Sequence, residues 1–240
     1  MARLEEELDW ERLGRCYCSE GGEAFFPPAQ REAVRDAGLL LASDVAAALA
    51  GRDGSSLYLG AALAELAPML CERLVLGRGV VAVNLPCEET DELNRALDAV
   101  SETLDHDLGT IETVPLESLA GAGFDHGWLV SVLTDPDAFP ALHDELYERG
   151  GTALATGRGD PAEDRQRAGA LVGGLLDALS PPCLLTTTDE ELAILKPACE
   201  RRGWRLESGG HARLSAVVGD PVRICRAVRT SQRQPTADGP

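Results

Sequence analysis

The chain is 240 residues long, 44% hydrophobic and 26% charged, the composition of a globular domain rather than of a fibrous, disordered or membrane chain. Its 22 Lys and Arg stand against 40 Asp and Glu, a formal net charge of −18. A field of that sign repels phosphate backbones and anionic lipid, so neither nucleic acid nor a membrane surface is expected as the main partner.

The opening MARLEEELDWERL lacks the apolar run of a secretory signal, and no later stretch reaches the roughly 18 apolar residues that span a bilayer. A soluble, cytoplasmic protein is therefore expected. The seven cysteines are an odd number and scattered, which fits reduced thiols better than a disulfide framework. Cys16 and Cys18 form a CxC pair without a matched second pair, which is poor zinc spacing, so no metal site is expected.

The acidic segment 5–13 has helical character, and CYCSEGGEAFFPP then breaks the periodicity with glycines and a Pro-Pro pair. Residues 1–29 read as an N-terminal cap segment. Over 30–50 the residues Val34, Ala37, Leu41, Val45, Ala48 and Leu49 recur at helical spacing, and Arg52-Asp53-Gly54 ends that helix. A strand-sized run at 56–59 follows, then Gly60 and a helix over about 62–74. Val80 to Val83 predicts a second strand, Pro86 a turn, and 90–104 a helix. A third strand is expected at 110–114, a fourth from Phe124 to Val130, a helix over 139–149, and a fifth strand at 152–155.

Strands alternating with helices at this spacing imply right-handed βαβ units, hence an α/β chain with a parallel sheet covered on both faces. The last third changes rhythm. Helices are expected at 164–179 and 189–202, an extended segment at 184–187, and two extended runs at 204–208 and 222–227 that pair as an antiparallel edge. One main domain over 30–228 and a polar, fraying tail over 229–240 complete the reading.

In an open parallel sheet, ligands bind beyond the carboxyl ends of the strands. There the chain reads LYLGAALAEL, a strand followed by glycine and small residues opening a helix. The element order resembles the class I S-adenosylmethionine-dependent methyltransferases, whose first turn typically reads LDLGCGTGEL. Gly60 keeps a family glycine, Ala62 and Ala64 replace two others, and Tyr58 stands where the family has an acid. The family's ribose-binding acid at the end of strand two falls on Asn84. Phe124-Asp125 with Leu129-Val130-Ser131-Val132-Leu133 resembles the fourth-strand motif. Thr187 to Leu192 with Arg202-Gly203-Trp204 is similar to a late T-x-E-E-L … G-F element.

The resemblance implies a Rossmann-like, mostly parallel seven-stranded sheet with an antiparallel edge strand and a helical N-terminal cap. It also implies S-adenosylmethionine as cofactor, with Tyr58, Gly60, Ala62, Asn84 and Ser131 in its site and Asp135 as base or orienting group. All but Ser131 have a plain alternative: a turn glycine, helix-forming alanines, a turn asparagine before Pro86, a packed tyrosine, and a pre-proline turn aspartate. His126 reads as a packing residue on its strand. Trp10, Phe25 and Phe26 either shape a substrate pocket or latch the cap onto the sheet.

Two functions follow. The first is a methyltransferase acting on a small molecule or on a basic protein drawn by the negative charge. The second is a binding or scaffold protein that kept the fold and lost the chemistry, suited to a homodimer or a partner complex and suggested by the departures at Tyr58, Ala62 and Asn84. A nicotinamide enzyme is disfavoured because GxGxxG is absent. Under the first reading Gly60→Val abolishes cofactor binding without unfolding the protein.

Overall fold

A computed structural model describes residues 1–18 and 22–230; the fraying expected of 231–240 lies outside them. Its central strands are largely buried, as in a sheet covered on both faces. Strand β1 (Ser55–Leu59) lies between β2 (Gly79–Val83) and β4 (Phe124–Leu129), parallel to both. Beyond β2 comes β3 (Ile111–Glu112), and beyond β4 comes β5 (Leu179–Thr188), again parallel. The reversed strand β8 (Pro221–Arg229) pairs antiparallel with β5 and with the edge strand β6 (Trp204–Ser208). The order is β3-β2-β1-β4-β5-β8-β6, and a two-residue β7 (Arg213–Leu214) joins β8. The eighth strand exceeds the expected seven, and the reversed strand lies one place in from the edge.

The two-residue alternation of the strands sorts the core into two layers. Tyr58, Trp128 and Leu184 face α3 (Pro28–Leu49), α4 (Leu66–Leu70) and α5 (Glu88–Leu104), whereas Leu57, Leu129 and Leu185 face α7 (Pro161–Ala178) and α8 (Leu192–Arg201). No described helix is long and apolar enough to cross a membrane.

Three local expectations change. The strand expected at 152–155 is an irregular stretch beyond α6 (Pro140–Leu146), with Leu154 73% exposed. Glycines bracket it, while the ten-residue β5 supplies the fifth parallel strand despite Pro181 and Pro182. The helix expected at 62–74 divides into a 3-10 turn (Leu63–Glu65), the short α4, and a wide π turn (Cys71–Val75) closed by Leu76 N donating to Cys71 O. Such a wide turn re-aims side chains relative to an α-helix, and here it carries Glu72 into the interior.

The segment 5–13 is also two helices, α1 (Ala2–Glu7) and α2 (Trp10–Tyr17), broken at Asp9, whose carboxylate caps α2 by accepting from Arg12 N. Trp10 and Phe26 are buried with ring centroids 5.5 Å apart, and Glu92 of α5 accepts from Asp9 N at 2.8 Å. The cap is thus packed on its own aromatic pair, meets α3 where Arg31 lies over the Trp10 ring at 4.9 Å, and is tied to α5 by one buried carboxylate.

Candidate functional site at the carboxyl edge of the sheet

The ends of β1, β2 and β4 meet because their registers align Leu59 with both Val83 and Leu129. Gly60 turns the chain out of β1 with φ 74°, a conformation that favours glycine, and its N–H and that of Ala61 both donate to Val83 O. Asn84, just past β2, ties the same turn down: Nδ2 donates to Ala61 O at 2.9 Å, and Oδ1 accepts from Leu85 N at 2.8 Å.

The next two N–H groups are held by carboxylates. Ala62 N donates to Glu65 Oε2 and Leu63 N to Glu89 Oε1, each at 3.1 Å, and the Tyr17 hydroxyl donates to the same Glu89 oxygen at 2.5 Å. Burial pushes Glu65 up to about 8, with the acidic neighbour Glu89 adding to the effect; burial raises Glu89 too, and Asp135 raises it further.

Past β4, Ser131 adopts φ 58°, a strained conformation for a residue other than glycine. Its Oγ donates to Asp220 Oδ2 at 2.8 Å, and the Tyr147 hydroxyl donates to both Asp220 oxygens at 2.6 and 2.7 Å. Val132 then lies over the turn: a Cβ placed on Gly60 would meet its Cγ2 at 2.4 Å. Asp135 is exposed and uses Oδ1 to accept from Asp137 N and Ala138 N, forming the turn that leads to α6.

The structure therefore brings Gly60, Ala62, Asn84 and Ser131 to one edge, with Asp135 on its rim near Glu89. Tyr58 is not among them. It is fully buried, stacks on Trp128 at 5.0 Å, and points its hydroxyl to Glu72 Oε1 at 2.7 Å, so burial and the Glu72 charge raise its pKa well above the usual range. The expectation that Tyr58 contacts a cofactor is corrected to a core role, because its position in β1 faces the helix layer rather than the strand end.

Beneath it lies a second cluster that the sequence did not announce. Glu72 accepts from Ser56 Oγ and Tyr58 Oη, pairs with Arg78 Nε at 3.1 Å and meets His126 Nδ1 at 2.9 Å. His126 Nε2 reaches Thr186 Oγ1 at 2.9 Å, and Arg78 also binds Asp125 and the Arg52 carbonyl. His126 is thus a packing residue with both ring nitrogens engaged. Glu72 and Arg78 escaped notice because each looks like an ordinary charge in a polar stretch.

Two buried carboxyls give the fold a pH signature. Burial pushes Glu65 to about 8 and Glu191 to about 7 from an ordinary value of 4.5. Such groups hold their proton more tightly folded than unfolded, so their stabilisation is complete below about 4.5 and is lost as pH rises through about 7 to 8. Thermal unfolding is expected at progressively lower temperature between pH 5 and pH 8.5, with Glu191→Gln reducing the slope; a flat profile contradicts the buried placement.

No protein-family model matches the chain, and no curated protein matches its sequence. Solved structures match its fold. The magnesium protoporphyrin IX methyltransferase of Synechocystis, solved with bound S-adenosylmethionine, superposes with TM-score 0.55 at 15% identity, covering 92% of this chain and 97% of its own. A precorrin-6y C5,15-methyltransferase of Geobacter metallireducens superposes with TM-score 0.48 at 11% identity, covering 80% and 87%. The chain has the class I S-adenosylmethionine-dependent methyltransferase fold, a Rossmann-like α/β sheet with one reversed strand.

Proposed function

We propose that the chain is an S-adenosylmethionine-dependent methyltransferase acting on a small molecule or a basic protein. The observation that carries this reading is the junction of Gly60, Asn84 and Ser131 at the carboxyl edge of a sheet with that fold. The residues there suit the cofactor in kind. Gly60 and the flanking alanines keep side-chain bulk low at the turn, and Asn84 offers an amide donor and acceptor for a diol.

When bound, S-adenosylmethionine supplies an electrophilic methyl group on a sulfonium that is already a good leaving group. The protein's share is then largely positioning, with one proton acceptor. Asn84 would hold the ribose by exchanging its contacts with Ala61 O and Leu85 N, and the Val132 methyl would move off Gly60. Asp135, exposed on the rim, is the proposed base or orienting group for the methyl acceptor. The charge of −18 favours a cationic acceptor when the substrate is a protein.

A second reading has its own support. Every polar group named at the turn already has a partner within the chain, and Tyr58 replaces the family acid with a buried phenol. That is what a methyltransferase-fold binding protein without cofactor would look like.

Isothermal titration with S-adenosylmethionine and S-adenosylhomocysteine separates the two. Micromolar affinity, on the order of −8 kcal/mol, is expected for the enzyme. Asn84→Ala should weaken it at least tenfold while lowering stability by about 1 kcal/mol through the two lost turn bonds. Folded protein that binds neither compound rules out the enzyme and leaves the binding protein.

A further inference from the structure

We propose that Asp220 is a positioning residue of the cofactor site: its carboxylate holds Ser131 in a left-handed backbone conformation, and that conformation sets the course of the chain beside Gly60. The inference rests on the methyltransferase reading and goes beyond it, since it gives Ser131 a backbone role and brings in a residue from the start of β8.

The first observation is a conformation that serine does not favour. Ser131 has φ 58°, and among the described residues only Asp105 and Glu148 share a positive φ without being glycine. Those two close helices, Asp105 as the C-cap of α5 and Glu148 two residues past the end of α6, where a left-handed residue is an ordinary way to stop. Ser131 instead follows strand β4 and has no helix to close. A residue with a Cβ stays in that region only where its surroundings hold it there.

Asp220 does the holding. The Ser131 hydroxyl donates to its Oδ2 at 2.8 Å. The aspartate is itself fixed, 5% exposed at the residue before β8, with Gly219 N and Asp220 N both donating to Ser215 Oγ at 3.0 Å and Ser215 N donating to Asp220 O at 2.8 Å. The Tyr147 hydroxyl donates to both carboxylate oxygens, so two segments meet the same anchor.

The consequence lies one residue on. Leu133 N donates to the buried Glu191 Oε1 at 2.9 Å, so the chain is pinned at 131 and at 133, with Val132 and the methyl that lies over Gly60 between the two pins. The pin at 133 is an ordinary backbone contact. The pin at 131 depends on a conformation that serine abandons once the carboxylate is gone. Because the hydroxyl is used in this tether, Ser131 places backbone rather than meeting the cofactor, and the conformation held by Asp220 is the one that binds.

Substitutions separate these roles, with S-adenosylmethionine binding measured by calorimetric titration and each variant first checked by thermal unfolding. Ser131→Ala keeps a Cβ and loses the tether, so the competent population falls and affinity is expected to drop about tenfold. Ser131→Gly loses the same hydroxyl but needs no tether, because glycine populates positive φ about as readily as negative, and its affinity is expected to stay within about threefold of wild type. Asp220→Ala should match Ser131→Ala, and adding Ser131→Gly to it should restore binding. Tyr147→Phe removes the other donor, leaves the tether, and should bind like wild type.

Equal weakening in Ser131→Ala and Ser131→Gly makes the hydroxyl a ligand contact and overturns the positioning role. So does unchanged affinity in Ser131→Ala, or a defect in Asp220→Ala that Ser131→Gly fails to relieve. In each of these cases the wild type still binds and the methyltransferase reading stands. Folded wild-type protein that binds no S-adenosylmethionine overturns that reading, and the positioning role with it.

Discussion

Replacing Glu72 with Ala is expected to remove about 3–5 kcal/mol of folding stability, the usual consequence of breaking a buried ion pair from one side. The side chains of Glu72, Arg78 and His126 are 0%, 2% and 1% exposed. Without the carboxylate, Arg78 keeps Asp125, Ser56 Oγ and the Arg52 carbonyl, the Tyr58 hydroxyl loses its acceptor, and His126 Nδ1 is left with Ser56 Oγ at 3.2 Å. Water has no ready access to replace it, so each group bears its desolvation penalty. Glu72→Gln should fall between, because one oxygen remains while the new amide N–H₂ confronts either the Ser56 and Arg78 donors or those of Tyr58 and His126.

Urea unfolding of the three proteins measures the differences, and a loss below about 1 kcal/mol for the Ala variant contradicts a closed network. Burial alone would raise the Glu72 carboxyl, but hydrogen bonding and charge from His126, with Ser56 and Tyr58, outweigh it and hold the pKa below its ordinary value. The sign of the pH effect follows. A depressed carboxyl stabilises above its unfolded pKa and loses that stabilisation as pH falls through the folded one. The gap between wild type and Glu72→Ala should therefore be full at pH 7 and narrow in acid.

The same network explains what the sequence could and could not convey. The alternation of strands with helices marks Val80 to Val83 and Phe124 to Val130 as strands, the first a short β-branched run bounded by turn residues. Periodicity marks α3 because six apolar residues repeat at helical spacing. Both signals are local. It misplaced the fifth strand, since Thr152 to Ala155 and Leu179 to Thr188 are both short apolar stretches near turn residues, and only the choice of neighbour in the sheet separates them. It also missed the division of the helix after Gly60, because a π turn leaves no distinctive residue pattern.

At the site, Gly60 and Asn84 were legible from their places at the ends of β1 and β2. Glu65 and Glu89 were not, because one sits in an apolar helix-like run and the other in an acidic one, and each matters through a backbone N–H group, that of Ala62 three residues away for Glu65 and that of Leu63 across the fold for Glu89. Tyr58 shows the converse: position in the motif suggested a contact, and alternation along β1 sent the side chain into the core. A period of two was the better guide there.

Gly60→Val is expected to abolish cofactor binding and also to remove about 2–5 kcal/mol of stability, combining roughly 1–2 for a left-handed residue with a Cβ and roughly 1–3 for overpacking. The sequence alone suggested a variant that folds normally. The structure corrects this, since φ at Gly60 is 74° and the added Cβ would lie 2.4 Å from Val132 Cγ2. Valine is stiff at χ1, so the overlap is not relieved by swinging a long side chain away.

Val132→Ala isolates the two contributions. In the Gly60→Val background it removes the clash but not the backbone strain, so it should restore only part of the lost stability and none of the binding. Introduced alone, it clears the methyl that covers the glycine and should leave affinity for S-adenosylmethionine equal or higher, at a stability cost of about 1–2 kcal/mol for a half-buried valine. Gly60→Val with wild-type stability and wild-type affinity would show that the turn is neither strained nor in contact with ligand. Reduced affinity in Val132→Ala would instead make that methyl part of the binding surface, and the cofactor would then lie against β4 rather than over Gly60.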